Sequence, residues 1–320
     1  MSDDSQKKKK LSFSKQILKS GIPLEMATYD SLVSALDSDW IIPEYRFSTL
    51  NEDNIVIDRS IDFVCSAPSN RDGLDPNGKQ IYYLLECKYT NPADSTWLFM
   101  RDKTIPDNDT FGDWYSFLWQ DRQPITHTST KPLGNALKCI RGVPISSKEQ
   151  DIKGNAIGKS PSLTTALHQL RDCVHAVAIE RFRLFTKMWM QPALISFIPI
   201  IITTADLRIL KDGCHKDILS SDGDKVELDS ISETLDVLLV RCPSCLKQID
   251  FKWNRFNQSH GKYDLCRVEK GLPMYKRERT IEYHLKHFFS TTPQYIIVTK
   301  IDHLDNILKD SFSWISQLGF

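Results

Sequence analysis

Residues 194–204, LISFIPIIITT, form an almost unbroken apolar run, and no other stretch limits the fold as strongly. The run is shorter than the roughly 18–20 apolar residues a membrane helix needs, and its isoleucine-rich composition suits a pleated strand. A strand with one wet face alternates polar and apolar residues. A continuous run is what a strand covered on both faces requires. The fold expected is therefore α/β, a central mixed sheet flanked by helices. Pro199 inside the run cannot donate to a ladder and predicts a bulge or an edge there. No other stretch reaches membrane-helix length. Residues 1–10 are polar and carry the run Lys7 to Lys10 where a signal peptide would have an apolar core, so no membrane association and a cytoplasmic location are expected. The eight cysteines are scattered, which fits reduced thiols better than a disulfide scaffold.

Periodicity supplies the neighbours of that strand. Residues 11–19 read as a short helix, and Pro23 suits the first turn of a second helix running to about residue 36. Tyr29, Leu32, Val33 and Leu36 stand at i+4, i+7, i+8 and i+11 from Glu25, which turns that acid toward the core. A carboxylate there either caps the helix and complements its dipole or serves a site. Residues 40–47 and 55–65 are rich in β-branched and aromatic side chains, with Asn51, Asp53 and Asn54 between them. With a further strand at 81–89, preceded by turn-rich residues 70–78, they predict a three-stranded meander.

Residues 91–159 lack a clear period but hold Trp97, Phe99, Phe111, Trp114, Tyr115, Phe117 and Trp119, and read as an elaboration packed on the core or as a lid. Leu163, Ala166, Leu170, Val174 and Val177 give helical spacing over 162–185, with Ser160 or Ser162 as cap. Further strands are expected at 235–241 and 294–300, and a closing helix at about 304–318. No repeat or Gly/Ser-rich linker is present. Residues 11–320 are therefore expected to form a single elaborated domain after a disordered basic tail, 1–10, with a core at about 19–204, an insertion at 91–160 and a C-terminal extension at 205–320.

Two of the strands carry charge where strands seldom do. Glu86 and Lys88 are two residues apart and share a face, with Ile81, Tyr83, Leu85 and Cys87 on the other. Asp62 shares a face with Asp58, Ser60 and Val64, opposite Ile55, Ile57, Ile61 and Phe63. Pairing of the strands would set Asp62 beside Glu86. Buried-strand charges are costly unless paired or metal-bound, so the set is either a structural ion pair or a site. Two carboxylates for a divalent cation, and a lysine to orient water or balance charge on a pentavalent phosphate, are what phosphodiester hydrolysis needs. The acid-x-Lys spacing alone is uninformative, because 41 acids and 26 lysines in 320 residues predict about three by chance and three occur. Only Glu86-Cys87-Lys88 ends an apolar strand that follows another strand bearing an acid; Asp151 to Lys153 and Asp250 to Lys252 do not.

The succession Ser20-Gly21-Ile22-Pro23-Leu24-Glu25, Pro43-Glu44-Tyr45, Ile61-Asp62 and Leu84-Leu85-Glu86-Cys87-Lys88 resembles the PD-(D/E)xK nuclease superfamily, the restriction-endonuclease-like proteins. The resemblance spans roughly residues 19–204, with Ile61 where the motif has proline. It implies a restriction-endonuclease-like core and a Mg²⁺-dependent nuclease, with Mn²⁺ able to substitute. DNA is the substrate and endonucleolytic cleavage the mode that it implies. By the same resemblance Asp62 and Glu86 hold the metal, Glu25 completes its site, and Lys88 serves the water or the phosphate. Gln169 on the second long helix matches a glutamine found in some branches, or is a boundary amide bonded to backbone. The fold also serves as a silent scaffold, so the alternative is a module that binds nucleic acid or protein.

Equal numbers of acids and bases, 41 each, leave no global field for a polyanion, so a nucleic-acid surface is expected as a local patch. A homodimer or a partner protein is compatible with the sequence. Cys242-Pro243-Ser244-Cys245 has zinc-knuckle spacing, with His260, Cys266, His284 and His287 downstream; without a second pair, reduced cysteines in a turn are expected. Cys214 and His215 are adjacent in sequence and seldom could face each other as nucleophile and base. No phosphate-cradling glycine motif is present, which argues against a P-loop motor or a Rossmann dehydrogenase.

Overall fold

The run at 194–204 becomes β8, Ala193–Thr203, the strand on which a large mixed sheet is centred. The structure, a computed structural model, describes residues 13–36, 41–51, 53–68, 79–90, 95–104, 115–120, 123–126, 137–146, 161–188, 193–214, 219, 227–242, 245–260 and 295–317. The basic run Lys7 to Lys10, Phe111, Trp114, Ser160, His215, Cys266, His284 and His287 lie outside the described residues, as do the side chains of Tyr115, Phe117, Trp119, Ser162 and His260.

In chain order the elements are α1 Phe13–Lys19, α2 Ile22–Ala35, β1 Ile41–Leu50, β2 Val56–Pro68, β3 Lys79–Lys88, β4 Ser95–Arg101, β5 Tyr115–Gln120, β6 Gln123–Thr126 and β7 Leu137–Ser146. There follow α3 Pro161–Met188, β8, β9 Asp206–Leu210, α4 Leu228–Ile231, β10 Ser232–Leu235, β11 Val237–Arg241, α5 Leu246–His260, β12 Tyr295–Lys300 and α6 Leu304–Gln317. The strand order is β1-β2-β3-β8-β12-β11-β7-β4-β9-β10, with β5 and β6 attached beside β8. β1, β2 and β3 form the expected antiparallel meander. β8 runs parallel to β3 from Lys79↔Leu194 to Lys88↔Thr203.

β8 is apolar throughout because both of its faces are covered. Ile195, Phe197 and Ile201 pack with Leu84 and Val298 under Ala166, Leu170, Val174 and Val177 of α3 and under Ile249 of α5. Ile198, Ile200 and Ile202 pack with Tyr83, Leu85 and Ile297 against Leu24 and Leu32 of α2 and Leu304, Ile307 and Leu308 of α6. Each such side chain contributes about 1.5–3 kcal/mol by burial. Pro199 is neither at a bulge with β3 nor on an edge, contrary to expectation: it pairs in register with Leu84. On the opposite edge β5 pairs with residues 193–197 and β12 with residues 200–203. The residue that cannot donate sits where the neighbour changes.

Three further expectations need correction. The stripe of α2 is rotated: Leu24, Thr28 and Leu32 are buried, whereas Tyr29 and Val33 are each 40% exposed. The alternation of β2 breaks at Asp62, since Ile61 joins Val64 in the core beneath α3 while Phe63 faces α2. Opposite this point, between the pairs Pro43↔Phe63 and Tyr45↔Ile61, Glu44 has a left-handed backbone with φ 49°, which turns the strand over. The segment 91–160 is also no mere covering. β4 lies inside the sheet between β7 and β9, and Trp97 and Phe99 are fully buried.

That burial fixes a glycine. A Cβ on Gly142 of β7 would run into the Phe99 ring and stand 2.9 Å from the Leu163 side chain. Both neighbours are locked in the core, so Gly142→Ala is expected to cost about 1–3 kcal/mol by overpacking. A denaturant midpoint unchanged from wild type would refute this.

Candidate active site

Glu86 and Lys88 end β3 on the side facing α3, where the strands splay. The β2–β3 ladder stops at Phe63↔Leu85. One residue further, the Asp62 carboxylate takes the place of a strand partner: its Oδ2 accepts the backbone N–H of Cys87 at 2.5 Å. The Lys88 ammonium donates to Glu86 Oε1 in an ion pair. Glu86 is 3% exposed, and its second oxygen, Oε2, is buried with no hydrogen-bond partner. An ionised carboxylate oxygen in that situation is a strong demand for a cation or a proton.

Glu25 approaches from the first turn of α2, which starts after Gly21 in the left-handed region at φ 81°. Asp62 is the acid that acts on both of the others. Burial pushes the Glu86 carboxyl up to about 7, and the charge of Asp62 adds to this while Lys88 partly offsets it. Burial also raises Asp62, against the Cys87 N–H and Lys88. Glu25 is raised by burial and then by Asp62, with Lys88 again opposing. One lysine does not balance three carboxylates.

Gln169 on α3 donates through Nε2 to the Ser60 carbonyl at 3.1 Å, and its Oε1 is buried without a partner. It therefore braces β2 two residues before Asp62. Further supports carry no local sequence signal. The Thr203 hydroxyl donates to the Lys88 carbonyl at 2.9 Å, and the Thr204 hydroxyl accepts the Thr90 N–H at 2.9 Å, so β8 clamps the exit of β3. The Cys87 thiol donates to Thr28 Oγ1 at 3.4 Å, tying α2 to β3 one turn from Glu25. Only the packing of α2 on the sheet makes Thr28 relevant.

Among the described residues no group of three or more His, Cys, Asp or Glu converges to cage a metal ion. Asp62 acts through its charge on Glu86 and on Glu25, and the three do not form such a cage. Cys242 and Cys245 are free thiols: Cys242 is buried and donates to the Leu167 carbonyl at 3.6 Å, while the Cys245 carbonyl caps the first turn of α5. Cys214 donates to the Lys211 carbonyl at 2.9 Å. No helix among the described residues is long and apolar enough to cross a membrane.

No family model, curated protein or solved structure matches this chain. The chemistry of the site rests on its geometry.

Proposed function

We propose that the chain is a metal-dependent nuclease that hydrolyses phosphodiester bonds, DNA being the substrate class favoured, through Asp62, Glu86 and Lys88. The observation that carries this reading is the buried, unpartnered Oε2 of Glu86 beside the charges of Asp62 and Lys88. A structural ion pair would need only the Lys88 contact. The succession α2, β1–β3 meander, α3 and β8 parallel to β3 supports it, being the order of parts on which the resemblance to restriction-endonuclease-like proteins rests. So does the location, since ligands of open α/β sheets bind beyond the carboxyl ends of parallel strands.

Mg²⁺ needs only one or two protein carboxylates, the remaining ligands being water and substrate oxygens, so Asp62 and Glu86 suit it without a closed cage. When bound, such an ion supplies Lewis acidity toward a phosphoryl oxygen and lowers the pKa of water. The Cys87 N–H holds Asp62 in place, and Lys88 keeps a donor beside Glu86 for an attacking water or a phosphate oxygen. Gln169 acts as a positioning residue through Ser60. Glu25 adds negative charge at the α2 side.

The test is incubation of supercoiled, linear and single-stranded DNA, and of RNA, with Mg²⁺ or Mn²⁺. Wild type is expected to cleave at least one of them only with metal, and Glu86→Ala and Lys88→Ala to lose at least about a hundredfold in rate. Absence of cleavage under every condition, with nucleic-acid binding indifferent to both substitutions, would overturn the proposal and leave a binding module.

A further inference from the structure

Helix α2 is apolar on two faces. Leu24 and Leu32 face the sheet with Thr28. Ile22, Met26, Tyr29 and Val33, at i, i+4, i+7 and i+11, form a second stripe that is 53%, 63%, 40% and 40% exposed. Ile17 and Leu18 of α1 extend it, at 41% and 45%. A helix that covers a core on one side is normally polar on the other, whereas one that is apolar all round is covered all round. The six side chains present on the order of 600 Å², the upper end for the largest apolar patch of a monomer. That is also most of the ~800 Å² each partner contributes to a standard interface.

We infer that the α1–α2 surface is where two copies of this chain join about a two-fold axis. The stripe has the spacing that forms a straight ridge on a helix. α2 has 14 residues and is about 21 Å long, enough for its ridge to pack against the same ridge of an antiparallel copy. The formal net charge of zero leaves no repulsion between copies. A two-fold contact uses the patch on both partners and closes, so it ends at a dimer. The inference is independent of the hydrolytic reading, although Thr28 and Glu25 place the interface helix against the site.

The experiment is sedimentation velocity on the full chain from low to high micromolar concentration. Wild type is expected to reach twice 36.8 kDa. Met26→Lys combined with Ile22→Lys is expected to remain at the single-chain mass with its circular dichroism retained and with the thermal midpoint that wild type shows once dilution has dissociated it. Met26→Ser, which adds no charge, is expected to weaken association at least tenfold, and Met26→Leu to leave it intact. A wild type of single-chain mass throughout, or a dimer untouched by these substitutions, overturns the inference. So does a single-chain wild type whose thermal midpoint falls in Met26→Lys, because the stripe is then covered by this chain itself.

Discussion

Metal-free Glu86→Gln protein is expected to exceed wild type in stability by roughly 3 kcal/mol at pH 8 and to match it at pH 4. The Glu86 carboxyl stands at about 7 in the fold against 4.5 for an ordinary glutamate, chiefly through burial and secondly through the charge of Asp62. Below 4.5 the group is neutral in folded and unfolded chains alike and contributes nothing. As pH rises from 4.5 toward 7 the unfolded chain ionises first and is favoured, and above 7 the penalty is complete. A difference of about 2.5 pKa units at 1.36 kcal/mol each sets its size at roughly 3 kcal/mol. Glutamine keeps the shape and removes the titration. Chemical denaturation in EDTA at both pH values measures the difference, and wild type proving the more stable at pH 8 would refute it. Added Mg²⁺ is expected to raise the stability of wild type at pH 8 and to leave Glu86→Gln nearly unmoved, since a ligand stabilises only the state that binds it.

The elements that stood out in the sequence are those whose burial is periodic over a short span. β8, the meander, α3 and α6 all show their covered faces within a dozen residues, and each forms close to its expected bounds. β4 did not stand out because its burial is conferred from afar: Trp97 and Phe99 are enclosed by β7 and by β9, a strand more than a hundred residues later. α2 was legible as a helix but not in its rotation, because apolar residues occupy two of its faces and sequence cannot say which one meets the sheet.

The same distinction holds at the site. Glu86 and Lys88 share a face because strands alternate, and the structure keeps that relation. Asp62 reaches them by a different route from the one alternation implies. Both β1 and β2 change face at the left-handed Glu44 and the Asp62 opposite it, and the Asp62 carboxylate binds the Cys87 N–H instead of facing Glu86 from a regular ladder. Neither Thr28 nor Thr203 could be singled out beforehand, because a threonine hydroxyl acquires a role only from the backbone or thiol that packing brings to it.

Asp172→Ala is expected to cost about 3–5 kcal/mol, because it strips the countercharge from buried Lys252 and partly buried Arg171. Asp172 on α3 is 2% exposed. Its Oδ1 accepts Arg171 Nε at 2.9 Å and its Oδ2 the Thr49 hydroxyl at 2.8 Å, while its carbonyl accepts Lys252 Nζ at 2.5 Å. Burial holds the Lys252 ammonium down to about 8, with Asp172 opposing that shift, and the Phe47 ring lies 4.6 Å from Nζ. Gln248, one turn earlier on α5, brackets Leu50 of β1 by accepting its N–H at 3.0 Å and donating to its carbonyl at 2.5 Å. The network thus ties α3, α5 and β1 together behind the site. Without the carboxylate Thr49 still has Gln248 within 2.8 Å, so the loss falls on Arg171 and Lys252. Lys252→Met removes a costly charge and keeps the apolar stem, and is expected to change stability by less than about 1.5 kcal/mol. The double variant is then more stable than Asp172→Ala by at least about 1 kcal/mol, whereas strict additivity in the cycle would refute a coupling between the two. The pH dependence separates charge from packing. Lys252 is charged in both states below 8, and the folded chain loses that charge before the unfolded chain as pH climbs toward 10.5. The Asp172→Ala loss is therefore expected to be largest near neutral pH and to shrink by pH 10; a cavity left by the missing carboxylate would cost the same at both.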